Sequence, residues 1–228
     1  MDFLFEGFLE GIRRVVQSDP EVMRAARVTL QVSLFATLTA SALGLPLGYL
    51  LAGGRFRGRG FAITVLQTQL GLPTVVIGLI IYGLLSRRGP LGFGDLLFTP
   101  SAIIIGLAVL SIPIVATFAM TAVASVDVRA RETALTLGAS PGKAAWAVVR
   151  EARFGLVAAV LAAFGRVASE VGVAMMLGGN IDGFTRTLTT AIALESMKGE
   201  FGFGIALGLV LLLIVFGTNL AFRVLQRS

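Results

Sequence analysis

Arg166 and Glu170 stand four residues apart in a run that is otherwise apolar, a spacing that turns both side chains to one side of a helix. A charge at membrane depth costs at least ~2.5–3.5 kcal/mol on insertion scales, so the pair has two readings. Either Arg166 attracts an anion along a pathway, or the two charges neutralise each other and fix helix packing. Downstream, Asn180, Thr185, Thr187, Thr189 and Thr190 offer amide and hydroxyl donors suited to an anion shedding water. Gly172, Gly178, Gly179 and Gly183 lie among them, where backbones can approach closely or turn sharply. The alternative is an ordinary external loop rich in small polar residues.

Other chemistry is excluded by what the chain lacks. It has no histidine and no cysteine, so imidazole bases, thiolate nucleophiles and zinc sites of the usual type are absent, and no metal site is expected. It has no Walker-type phosphate loop. An intramembrane enzyme would have only scattered Ser and Asp residues to work with, and they form no catalytic constellation. Energy for any work must come from an ion gradient or from a partner.

The elements that position these residues are membrane helices. Of the 228 residues, 56% are apolar and 14% charged, and the mean hydropathy is +0.89, more apolar than a soluble core of this length could bury. Five stretches reach the roughly 20 apolar residues that cross a bilayer: about 28 to 52, 61 to 85, 101 to 125, 154 to 178 and 203 to 222. The runs are long and continuous and show no period-two alternation, which excludes a barrel and predicts an all-α polytopic membrane protein in one domain, 1–228. At ~1.5 Å per residue from Phe154, Arg166 falls about 18 Å into the fourth span, near the midplane.

The first seventeen residues are not expected to be a secretion signal, because Asp2, Glu6 and Glu10 break the basic pattern and no cleavage site follows an apolar core. Phe5, Phe8, Leu9, Ile12, Val15 and Val16 share one helical face, which predicts an amphipathic helix lying in the interface. Asp19 followed by Pro20 predicts an N-cap and the first turn of the next helix.

Basic residues set the orientation. Arg55, Arg57 and Arg59 follow the first span, Arg129, Arg131, Lys143, Arg150 and Arg153 the third, and Arg223 and Arg227 sit at the end of the fifth. The other side carries Arg87, Arg88, Arg186 and Lys198 and the mixed-charge amino terminus. This predicts an outside amino terminus and a cytoplasmic carboxyl terminus. The net charge of +6 is therefore read as topogenic rather than as a nucleic-acid footprint.

The loop from Arg129 to Arg153, within a connector of about 127–153, predicts two short helices. Gly138 and Ala139 stop the first, and Ser140 with Pro141 starts the second. In the second, Ala144, Ala145, Val148 and Val149 carry apolar surface out of the bilayer, with Trp146 as a large anchor. Such a knob fits a groove on a partner, or rests on its own lipid.

Glu132, Thr133 and Ala134, with Gly138 four residues after the alanine, resemble the Glu-Ala-Ala loop of ATP-binding-cassette importer permeases. Thr133 replaces the middle alanine of that pattern, and Arg150 stands where many members have proline. Thr29 to Ala52 is similar to the family's first core helix and Leu70 to Gly92 to its second. Ser169 to Glu195 resembles the end of the fourth span and the adjoining outer loop in permeases for tetrahedral oxyanions. Gly178-Gly179-Asn180, the Glu-Ala-Arg at 151 to 153 and the five-span layout look most like the tungstate branch.

The resemblance implies a type I importer permease fold and a homodimer enclosing a central pathway. It also implies two cytoplasmic ATPase subunits, which bind ATP and Mg, and one external binding protein. This chain would bind no cofactor and would not itself be an enzyme. Glu132, Thr133, Ala134, Gly138, Ala139, Ser140, Pro141 and Trp146 would form the coupling helix that docks into the ATPase. Met176, Leu177, Gly178, Gly179 and Asn180 would form the gate, with Arg166 and Glu170 beside the pathway. Tungstate is the expected cargo, with molybdate or sulfate as alternatives, and a gradient-driven transporter or channel is the reading of another class.

Overall fold

The computed structural model describes the backbone of residues 2–54 and 56–227; Arg55 lies outside these, and the side chains of residues 2–4, 6, 222 and 224–227, Asp2, Glu6 and Arg227 among them, are not described. The described residues form helices and no strands. Among the described residues, three helices are long and apolar enough to cross a membrane: α2 (Pro20–Gly53), α5 (Pro100–Ala124) and α11 (Phe201–Arg227). Two further spans are broken. α3 (Arg59–Leu70) and α4 (Thr74–Leu85) meet at 103°, and α8 (Arg153–Ala168) and α9 (Gly172–Gly178) meet at 60°, which brings the number of spans to as many as five.

The breaks revise the expectation of continuous runs at 61 to 85 and 154 to 178. The first falls at Gly71 to Pro73, where Pro73 lacks an N–H and its carbonyl accepts from Val76 and Ile77 to open α4. The second falls at Glu170, whose carboxylate accepts the Val173 N–H at 3.3 Å and so starts a new helix. Pro46 and Pro113, by contrast, stay inside α2 and α5.

Before these spans, α1 (Asp2–Val16) is the expected amino-terminal helix. It packs on α11 through its glycines: a Cβ at Gly11 would come within 2.9 Å of Ile205. Phe5, Phe8, Leu9, Ile12 and Val16 stay exposed, while Val15 packs against the core. Arg14 binds Glu10 at 2.8 Å and Asp19 at 3.4 Å, and the hydrogen bond to Glu10 holds its guanidinium above its ordinary pKa. Asp19 accepts the Glu21 N–H at 2.9 Å, capping α2 as the sequence predicts.

The chain divides into two compact units. One comprises Met1–Thr37, Pro73–Leu110 and Phe164–Ser228. Its core is built on four-residue spacings, with Val28, Val32 and Ala36 of α2, Ile77, Ile81 and Leu85 of α4, Ile103 and Leu107 of α5, and Val173 and Leu177 of α9. A second cluster joins Val22 and Ala26 to Leu188 and Ala191 of α10 (Leu188–Lys198) and to Phe203 and Leu207 of α11.

The other unit comprises Leu38–Leu72 and Ser111–Ala163. Gly44 and Gly48 let α2 approach α5 closely, since a Cβ at Gly48 would come within 2.6 Å of the Ala116 carbonyl. Two short helices complete this unit: α6 (Val128–Thr136) and α7 (Pro141–Glu151).

Helix α2 is apolar on its outside. Thr29, Ser33, Thr37 and Ser41, four residues apart, are buried, whereas Leu30, Leu34 and Leu38 are exposed. With lipid as apolar as leucine, helix faces are sorted by packing, not by hydrophobicity: Thr29 donates to the Ala25 carbonyl at 2.8 Å, whereas the hydroxyls of Ser33, Thr37 and Ser41 are buried without a hydrogen-bond partner.

Candidate functional site: a helical connector and a short gate-like helix

The connector forms as its punctuation requires. Asp127 accepts the Arg129 N–H at 2.9 Å and caps α6. Gly138 takes a φ of +83°, a conformation that suits glycine, and closes the helix with N–H bonds from Gly138 to Leu135 and from Ala139 to Ala134, each 3.0 Å. Ser140 Oγ accepts the Lys143 N–H at 3.4 Å, and Pro141 occupies the first turn of α7.

Glu132, Thr133, Gly138, Ser140, Pro141 and Trp146 are exposed, and Ala134 and Ala139 are half-buried. The apolar surface differs from expectation in one respect. Ala144 and Val148 are buried, Val148 against Val123 and Ala152, and so hold α7 to its own unit instead of reaching outward. The outward apolar groups are Trp146 at 67% exposure and Leu137 at 82%, with Val128 and Leu135 on the first helix. Leu137 escaped the sequence reading, although an apolar residue immediately before a helix-stopping glycine was the available signal. Beside the connector, a cavity of about 280 Å³ is lined by Ser125, Asp127, Glu151 and Gly155, among others.

In the other unit, Arg166 and Glu170 form an ion pair at 2.6 Å. The Glu170 side chain is 4% exposed and that of Arg166 is 40%. The two are not on one uninterrupted helix, because α8 ends at Ala168. The pair instead spans the break, and the second Glu170 oxygen caps α9.

α9 carries the candidate gate. Leu177 is fully buried and fills a notch at Gly106, where a Cβ would collide with it. Met176 is half-buried, with its Sδ 3.0 Å from where a Cβ on Gly78 would lie. Gly178 is buried, and Gly179 and Asn180 turn the chain with φ of +69° and +53°. The Asn180 Oδ1 is buried without a hydrogen-bond partner.

The threonines expected to offer donors to an anion are instead committed within the protein. Thr185 donates to the Gly178 carbonyl at 2.6 Å and accepts the Ile181 N–H at 3.0 Å. Thr189 donates to the Glu170 carbonyl at 2.8 Å, and Thr187 and Thr190 form a capping box at the start of α10. Arg186 binds Glu21 at 3.2 Å and Asp182 at 3.5 Å, pinning the loop to the start of α2. The segment after α9 is therefore a hydrogen-bonded clasp. The Asp and Glu side chains among the described residues form no metal-binding cluster.

The chain is 45% identical over 197 residues to a probable anion ABC transporter permease of Haloferax volcanii, covering 84% of this chain and 85% of that one. It is 40% identical over all 228 residues to the tungstate uptake system permease TupB of Campylobacter jejuni, covering 95% of that protein. A structure of the MetNI methionine ABC transporter in an inward-facing conformation matches with a TM-score of 0.74 at 18% identity, covering 92% of this chain and 96% of that one, which establishes the fold. Residues 44–228 match the model of the binding-protein-dependent transport system inner membrane component. The matched residues and these identities show that the chain belongs to that family, the membrane-spanning permease subunits of ATP-binding-cassette importers.

Proposed function

We propose that this permease imports tungstate across the cytoplasmic membrane as a homodimer, driven by ATP hydrolysis in a separate subunit. Family membership implies an ATPase and a substrate-binding protein as partners. The cargo rests on one observation: the likeness to the Campylobacter jejuni tungstate permease, 40% identity, runs the whole length of the chain.

In this reading the whole chain is one permease domain, with its amino terminus outside and carboxyl terminus cytoplasmic. The connector docks into the ATPase. Leu137 and Trp146 supply apolar contact, and Glu132, Thr133, Ala134, Gly138, Ala139, Ser140 and Pro141 supply the shape of the turn. The ATPase binds ATP and Mg; this chain binds neither. Its closure moves α6 and α7, and the membrane helices reorient to alternate access. Met176, Leu177, Gly178, Gly179 and Asn180 constrict the pathway, and the Arg166–Glu170 ion pair fixes the break beside it. Selectivity rests largely with the binding protein.

The test is ATP hydrolysis by the co-purified permease and ATPase in liposomes with the binding protein present, comparing tungstate, molybdate and sulfate. Stimulation by tungstate at the lowest concentration is the expected result. Preference for molybdate or sulfate would reassign the cargo, and failure to retain an ATPase would overturn the coupling role of the connector.

A further inference from the structure

Between α4 and α5 the chain runs through a loop, residues 86–99, that ends against the carboxyl terminus of α9. Phe98 makes that contact. Its N–H donates to the Leu177 carbonyl at 2.8 Å. Its ring lies against Gly179, where an added Cβ would come within 2.8 Å of the ring edge. The same ring meets Tyr82 of α4 edge-to-face, with centroids 6.3 Å apart at 66°.

These contacts are not those of a core residue. Phe98 is 44% exposed, and a cavity of about 480 Å³, lined by Tyr82, Leu85, Leu97 and Phe98 among others, lies alongside it. The residue also holds a φ of +62°, a conformation that bulky side chains rarely adopt. Strain of this kind persists only where the surrounding contacts over-determine it, and here those contacts all lead to α4 and to Leu177 and Gly179.

We propose that Phe98 is a positioning residue for the gate, holding the segment from Leu177 to Asn180 closed in the resting state from the loop outside it. This inference rests on the reading of Met176 to Asn180 as the gate. When the ring is lost, the hydrogen bond to Leu177 remains available but Gly179 and α4 lose their common contact, and the resting gate loosens.

The chain has no cysteine, so a single Met176→Cys substitution is a unique thiol reporter on it. In the assembled complex with ATPase and binding protein, maleimide labelling of that thiol is measured at rest and during ATP turnover with tungstate, normalised to permease in the membrane. Turnover is expected to raise labelling several-fold; equal labelling in both states would overturn the gate reading itself. Given that rise, adding Phe98→Ala should bring resting labelling to the turnover level and produce tungstate leak without ATP, while Phe98→Tyr should restore the resting value. Resting labelling unchanged by Phe98→Ala, with turnover labelling intact, would overturn the positioning role alone. If Phe98→Ala does not accumulate, Tyr82→Ala removes the same edge-to-face contact, and it must shift resting labelling in the same direction or the proposal fails.

Discussion

Arg166 reaches across the end of α8 to hold the Glu170 carboxylate at 2.6 Å, and Glu170 in turn caps α9 through the Val173 N–H. One ion pair thus joins two half-helices at a break in a membrane span. The guanidinium is partly exposed and the carboxylate is not, so the two partners should respond differently to substitution.

Replacing Arg166 with Met leaves Glu170 buried with no counter-charge. Breaking a fully buried pair costs ~3–5 kcal/mol, and the partial exposure of Arg166 lowers this to about 2 kcal/mol. The expected outcome is reduced expression and a lower melting temperature, with anion preference unchanged among the molecules that fold. A well-expressed Arg166→Met permease with altered preference between tungstate and sulfate would show instead that Arg166 reads the substrate.

On the connector, Glu132→Lys should abolish uptake while leaving the permease folded, because Glu132 is exposed and joins none of the ion pairs among the described residues. Gly138→Val should act likewise, at a local cost of about 1–2 kcal/mol for a left-handed backbone. No other atom lies within 4 Å of a Cβ at Gly138, so the strain should stay local. Uptake in vesicles and retention of the ATPase on purification check both variants.

A Cβ at Gly106 would collide with Leu177 and come within 2.6 Å of Val173. Gly106→Ala should therefore destabilise by about 1–3 kcal/mol through overpacking. Gly106→Ala combined with Leu177→Ala should recover part of that loss, since the second change empties the space the first needs. Thermal unfolding of the single and double variants decides the matter, and strict additivity would rule out the shared contact.

Thr185→Val removes a buried hydroxyl that serves both the Gly178 carbonyl and the Ile181 N–H. Two backbone groups lose their partner, at about 1–3 kcal/mol for each one left buried and unsatisfied. Hydrogen exchange should accelerate at Ile181 and its neighbours, with the α5 core unaffected.

The apolar runs were legible because each is long enough to be a span on composition alone. The connector was legible because Gly138 and the Ser140-Pro141 pair are local chemistry whose meaning does not depend on neighbours. The breaks were not. Pro73 interrupts a helix while Pro46 and Pro113 do not, so proline by itself does not mark the place. The threonines after α9 were equally opaque, since the partner of Thr189 is a carbonyl nineteen residues earlier and that of Leu188 is the Thr29 hydroxyl. Such assignments come from tertiary contacts, which a linear pattern of polar residues does not encode.

The bend after α3 also bears on the life of the chain in the cell. α4 has twelve residues and α9 seven, lengths of about 18 and 11 Å, short of the roughly 30 Å of hydrocarbon. The ends of α9 are closed within the chain, Glu170 accepting the Val173 N–H and Phe98 donating to the Leu177 carbonyl, whereas the stretch from Gln67 to Pro73 lies exposed on the single chain. An orphan copy would therefore present an unfinished surface to the bilayer, open to membrane proteases until a companion covers it. Cellular abundance of this protein should then follow the supply of its assembly partners more closely than its own rate of synthesis.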